Sequence, residues 1–99
     1  MTTLESHIKG NKPVVVDFSA DWCNPCKLME PVLHEIKEKV GDRAIVLKMD
    51  IDKCPDCVSS YKIRAVPTLI IFKDGEILWR KSGVTPAHEI LQHLNIYIS

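Results

Sequence analysis

The sequence predicts an α/β fold, a central four-stranded mixed sheet flanked by helices. Three observations carry that reading. Helical and strand patterns alternate in the order α-β-α-β-α-β-β-α along 99 residues. The first two strands are separated by a helix-length crossover, which requires them to run parallel with a right-handed connection. The last two flank Lys73-Asp74-Gly75-Glu76, a turn signal that makes them an antiparallel hairpin. A mixed sheet with helices on both faces buries all of these elements at once.

In chain order, Thr2 stands three residues before Glu5, a capping-box signal for a short helix ending near Gly10. Pro13–Phe18 is a β-branched, largely apolar run, too short for a helix, and reads as a strand buried on both faces. From Cys26, the apolar residues Met29, Val32, Leu33, Ile36 and Val40 trace one face of a helix closed by Gly41. Pro31 lies inside that pattern and is expected to kink the helix, because the period continues past it. Ile45–Asp50 is the second strand, and a short helix is expected around Cys57–Tyr61. Thr68–Phe72 and Ile77–Lys81 form the hairpin. Thr85 and Pro86 are expected as N-cap and first helical residue of a last helix, whose stripe is Ala87, Ile90, Leu91, Leu94 and Ile98.

The length predicts one domain, residues 1–99. Apolar residues make up 45% and charged residues 26%, and thirteen basic side chains balance thirteen acidic ones. That balance argues against nucleic acid or an anionic membrane as partner. Leu69–Phe72, the longest purely apolar run, is far too short to span a bilayer. The first residues lack a basic start and a long apolar stretch, so a cytoplasmic protein without a secretion signal is expected. Four cysteines fall in two Cys-x-x-Cys pairs, Cys23/Cys26 and Cys54/Cys57. Such pairs serve as structural staples, redox dithiols or metal ligands, according to compartment.

Cys23 stands between the buried strand and the helix start, where unpaired N–H groups stabilise negative charge. Since the thiolate is the attacking form, this placement favours a nucleophilic Cys23. Cys26, one turn on, lies within disulfide range but deeper in the fold. Cys23 would attack a substrate disulfide, and Cys26 would then attack Cys23 and free the product. The second step needs a base. Asp17 is the candidate, an aspartate in a Val-Val-Val-Asp-Phe strand where a charge is costly without a use or a partner. The alternative is that Asp17 marks the strand's end and faces solvent.

Val15-Val16-Asp17-Phe18-Ser19-Ala20-Asp21-Trp22-Cys23-Asn24-Pro25-Cys26-Lys27 resembles the active-site segment of thioredoxins. Pro31, Lys48, Arg64-Ala65-Val66-Pro67-Thr68, Gly75 and Gly83 extend the resemblance over nearly the whole chain. It implies a thioredoxin fold, protein-disulfide reductase activity and a redox-active Cys23–Cys26 disulfide with no bound cofactor or metal. Asp17 would shuttle protons to and from Cys26 through water, and Lys48 would tune Asp17. Pro67, in cis, would face the cysteine pair, the Val66 backbone would bond an extended substrate segment, Trp22 would pack beside the site and Gly83 would border the groove. Disulfide-containing protein substrates and a thioredoxin reductase or equivalent electron donor are the implied partners, and a monomer is expected. Three departures stand out. Asn24 replaces the usual glycine, leaving the redox potential open. The residues before Cys23 lack the family's first strand, which puts Ile45–Asp50 at a sheet edge. Cys54-Pro55-Asp56-Cys57 is outside the common pattern.

Both cysteine pairs are expected at the same end of the sheet. Cys54 and Cys57 read first as an auxiliary disulfide that stiffens this edge or responds to oxidation, next as an electron relay or regulatory dithiol, and last as idle surface thiols. Asp50, Asp52 and Asp56 around them disfavour a thiolate. Two other functions compete with a reductase. A thioredoxin-like oxidase or isomerase differs only in potential and recycling partner. A zinc module using all four thiols would have to span a helix and a strand between the pairs. His7, His34, His88 and His93 are unclustered, and His34 falls off its helix's apolar stripe and is expected in solvent.

Overall fold

The structure, a computed structural model, describes residues 3–98. The elements are α1 (Thr3–Ile8), β1 (Val14–Ser19), α2 (Asn24–Lys27), α3 (Met29–Val40), β2 (Ile45–Asp50), α4 (Pro55–Ser60), β3 (Thr68–Lys73), β4 (Glu76–Ser82) and α5 (Ala87–Leu94), with short 3-10 turns at Gly41–Arg43 and Ile51–Lys53. The capping box expected at Thr2 lies outside the described residues.

The four strands form one mixed sheet in the order β2-β1-β3-β4. β1 pairs in parallel with β2, and β3 is antiparallel to both β1 and β4. This is the thioredoxin-type arrangement expected from the sequence, with β2 at an edge. Every residue of β1 is buried, because the strand is interior and covered on both faces. Side-chain alternation divides it. Val15 packs beneath α3 and α5 with Leu33, Ile36, Leu69, Ile71 and Ile90. Val14, Val16 and Phe18 pack on the opposite face with Leu4 and Ile8 of α1, Cys57 of α4, and Ile70 and Phe72 of β3.

Three local expectations change. The single kinked helix from Cys26 is two, α2 and α3, separated at Leu28. Pro31 lacks the N–H that would bond Lys27, and its ring crowds that carbonyl, so the chain breaks three residues ahead of the proline. Leu28 closes α2 with a tight bond from its N–H to Pro25 O at 3.1 Å. α4 begins at Pro55 rather than near Cys57, since Pro55 fits the first turn without its N–H. In α5 the N-cap is Pro86, not Thr85. The buried Thr85 hydroxyl donates back to Gly83 O at 3.0 Å and is unavailable to the helix.

The β3–β4 turn has Asp74 and Gly75 at φ 54° and 81°, the two positive values of a type I′ hairpin. Its N–H groups reach α1's end, Asp74 N to Gly10 O at 3.2 Å and Gly75 N to Ile8 O at 2.8 Å. Among the described residues no helix is long and apolar enough to cross a membrane.

Candidate active site

The strand directions bring four loops to one end of the sheet. β1, β2 and β4 finish there, and β3 begins there. The loop after β1 carries Trp22 and Cys23, the turn after β2 leads to Cys54, Val66 and Pro67 precede β3, and Gly83 follows β4.

Cys23 is the N-cap residue of α2, in extended conformation, and its Sγ accepts the Cys26 N–H at 3.2 Å. Cys23 and Cys26 are joined as a disulfide with Cα atoms 5.3 Å apart. They are 5% and 2% exposed and pack with Ala20, Ile51 and Val66. The Val66–Pro67 peptide is cis, and Val66 O lies 3.7 Å from Cys23 Sγ. Gly83, at φ 97°, donates its N–H to Pro67 O at 2.8 Å. That bond ties the end of β4 to the proline loop, and the positive φ favours glycine there. Trp22 is 67% exposed, and its Nε1–H donates to Asp52 Oδ2 at 2.9 Å.

Asp17 does not face solvent. It is 0% exposed, on the β1 face shared with Val15, and neither carboxylate oxygen has a hydrogen-bond partner among the described residues. Burial pushes its pKa up from 3.8 to about 6; the Lys48 ammonium pulls it down and Glu30 pushes it up. Lys48 is the register partner of Asp17 on β2, but its Nζ is paired with Glu30 Oε1 at 3.2 Å. Glu30 and Asp52 are the two polar residues of this site that sequence reasoning missed. Glu30 reads as an ordinary exposed acid off the α3 stripe, and only its position one turn beyond Cys26 hinted at more. Asp52 reads in the sequence only as a charge beside Cys54.

Cys54 and Cys57 form a second disulfide, also 5% and 2% exposed, so they are not surface thiols. They belong to the main core on the α1 and α4 side. Among the described residues no group of three or more histidine, cysteine or acidic side chains is placed to hold a metal ion. His34 is exposed and paired with Glu38 at 2.7 Å, and His93 stacks on Trp79 at 4.9 Å.

A buried disulfide at a helix start, lying against a cis-proline loop, has the chemistry needed for thiol–disulfide exchange. Comparison with known proteins points the same way. The thioredoxin family model matches residues 1–96. Thioredoxin Y, chloroplastic, of Oryza sativa subsp. japonica is 45% identical over 86 residues, 87% of this chain and 51% of that protein. The thioredoxin of Rickettsia prowazekii is 41% identical over 88 residues, 89% of this chain and 84% of that protein. Among solved structures, a mutant thioredoxin from Halobacterium salinarum matches with a TM-score of 0.88 at 34% identity, covering 100% of this chain and 87% of that one. The chain spans only 51% of the length of each of three chloroplastic relatives.

Proposed function

The chain belongs to the thioredoxin family, and from that premise we propose that it is a protein-disulfide reductase in which Cys23 is the attacking thiolate and Cys26 the resolving one. The observation that carries this is the Cys23–Cys26 disulfide lying 3.7 Å from the carbonyl of the cis Val66–Pro67 segment.

In the reduced protein, Cys23 thiolate attacks one sulfur of a substrate disulfide. The substrate S–S bond breaks, a Cys23–substrate mixed disulfide forms, and the displaced substrate thiolate takes up a proton. Cys26 then gives its proton through water to the Asp17 carboxylate and attacks Cys23 Sγ. The second substrate thiolate leaves and recovers a proton from Asp17, and the protein ends as the Cys23–Cys26 disulfide. Two electrons have passed to the substrate, and the cysteine pair itself carries them, without a bound cofactor. With a pKa of about 6, Asp17 is mostly ionised at pH 7 yet basic enough to accept a proton. Lys48 limits how far that pKa rises. Val66 offers its backbone to an extended substrate segment, while Pro67, Gly83 and Trp22 shape the surface it lies on.

A thioredoxin reductase or equivalent donor restores the dithiol. On this reading the protein acts as a monomer, without nucleic acid or membrane, in a thiol-reducing compartment. The cytoplasm is the compartment we propose, with a plastid as the alternative that three relatives named chloroplastic raise. Direction depends on potential, so an oxidase or isomerase role is the outcome to test against.

Insulin-disulfide reduction driven by a dithiol donor is the direct assay. Cys23→Ser is expected to abolish turnover, and Cys26→Ser to accumulate a mixed disulfide detectable by mass spectrometry. Turnover retained in Cys23→Ser would refute the assignment. A Cys23–Cys26 potential close to that of oxidising dithiol proteins would move the protein to the oxidase class.

A further inference from the structure

The second cysteine pair is as well buried as the first and has the same 5.3 Å Cα separation, yet its surroundings differ. Cys23 and Cys26 lie in a small satellite cluster under the substrate surface. Cys54 and Cys57 are embedded in a main core with Phe18, Ile70 and Phe72, all fully buried.

The chain just ahead of Cys54 reaches the reactive site at two points. Ile51 packs against both cysteine clusters. Asp52 Oδ2 accepts the Trp22 indole N–H at 2.9 Å, and the Asp52 N–H is itself held by Asp50 Oδ1 at 2.9 Å. The 3-10 turn bearing both residues is tied to Cys54 by a bond from Cys54 N to Ile51 O at 3.3 Å. Downstream, Cys57 N and Val58 N donate to Cys54 O at 3.0 and 3.3 Å. Cys54 therefore joins the turn to α4, and its disulfide pins that junction to Cys57.

We propose that Cys54–Cys57 is a second redox site, a latch that when oxidised holds Asp52 on the Trp22 indole and Ile51 against the Cys23–Cys26 pair, and that releases both when reduced. The proposal builds on the assignment of Cys23–Cys26 as the exchange centre. Reduction by an external dithiol breaks the Cys54–Cys57 bond. Two electrons and two protons pass to its sulfurs, and the reductant leaves as its own disulfide. Two unbonded sulfurs must then separate to van der Waals contact. Cys57 is held within α4, whereas Cys54 stands ahead of the helix at the end of the 3-10 turn, so the displacement falls on Cys54 and the turn attached to it.

The surroundings also set the order in which the two pairs open. A thiolate at Cys54 or Cys57 would lie among aromatic and aliphatic side chains, with Asp52 and Asp56 close in the chain. Both features disfavour the charged form. The latch stays closed while Cys23–Cys26 cycles and opens only under more strongly reducing conditions.

The test follows both pairs in the full chain through dithiothreitol redox buffers. Alkylation and mass spectrometry report the thiols, and NMR of the two tryptophan indole N–H groups reports the surface. Cys54–Cys57 should open at a reduced-to-oxidised ratio about tenfold or more above that for Cys23–Cys26. As it opens, the Trp22 indole resonance should move and its exchange with solvent should accelerate about tenfold or more, while Trp79, stacked on His93, stays unchanged. The same Trp22 response should appear in Cys23→Ser/Cys26→Ser, where only the latch titrates. A Trp22 signal that ignores the appearance of thiols at 54 and 57 overturns the proposal. So does an equal response of Trp22 and Trp79, which would mark general loosening. Because the variant lacks Cys23, this result is independent of whether Cys23 proves to be the nucleophile.

Discussion

At neutral pH the ionised Asp17, 0% exposed and without a hydrogen-bond partner among the described residues, works against the stability of the fold around it. Its folded pKa of about 6 lies above the ordinary 3.8, so the folded state binds the proton more tightly than the unfolded one. The carboxyl's contribution is therefore best below the unfolded value and is lost as pH rises through about 6. Asp17→Asn is expected to raise stability by about 1–3 kcal/mol at pH 8, the upper end set by the pKa difference and the rest offset by burial of the amide. At pH 4 the gain should be much smaller. Urea titrations at the two pH values check this, and an equal gain at both would show that ionisation is not the cause. The same variant should slow release of the mixed disulfide. Glu30→Gln removes a neighbouring negative charge, so the Asp17 inflection, followed by carboxyl NMR, should fall. A rise would contradict the electrostatic role given to Glu30. Asp17, Lys48, Trp22, Val66, Pro67 and Gly83 could be named as candidates from the sequence because each occupies a motif position. Glu30 and Asp52 were not, since their roles exist only through contacts with residues 18 and 30 positions away.

Among the elements, the two long-period patterns and the hairpin could be read directly, because the stripe from Met29 to Val40 and the Asp74–Gly75 turn are local signals. What could not be read was where tertiary contacts override them. Thr85 carries every mark of an N-cap, yet its hydroxyl bonds to Gly83 O and the helix starts later. The Leu78 position is likewise absorbed in an irregularity, where pairing jumps from Ile71↔Trp79 to Phe72↔Ile77. The hairpin turn itself makes a clean test. A Cβ at Gly75 would meet Lys9 Cγ at 3.8 Å, ordinary contact, so Gly75→Ala is strained only through its φ of 81°. The expected loss is about 1–2 kcal/mol in chemical denaturation. An unchanged midpoint would mean that the turn relaxes to another type.

Across the whole molecule, stability should be graded from the centre of the sheet outward. β1 and β3 are interior and buried, while β2 and β4 are edges. Hydrogen exchange should therefore be slowest at the amides of Val15, Val16, Ile70 and Ile71, and faster along β4. Equal protection in all four strands would count against this order. The edge position of β2 was foreseeable from the missing strand pattern ahead of β1. The closeness of α1 to the hairpin tip was not, since two main-chain bonds make it and no side-chain pattern announces them.

The order of strands also bears on the chain while it is being made. β1 and β2 are synthesised first, but β3 lies between β1 and β4 and is not synthesised until residues 68–73. The wall facing Cys23 needs Val66 and Pro67, and Gly83 must arrive to bond Pro67 O. A nascent chain ending before Gly83 thus carries all four cysteines with no completed groove to direct them. Its thiols meet other disulfides as those of any unfolded peptide would. Selectivity should appear abruptly, once Gly83 has left the ribosome and the non-local pairs have closed.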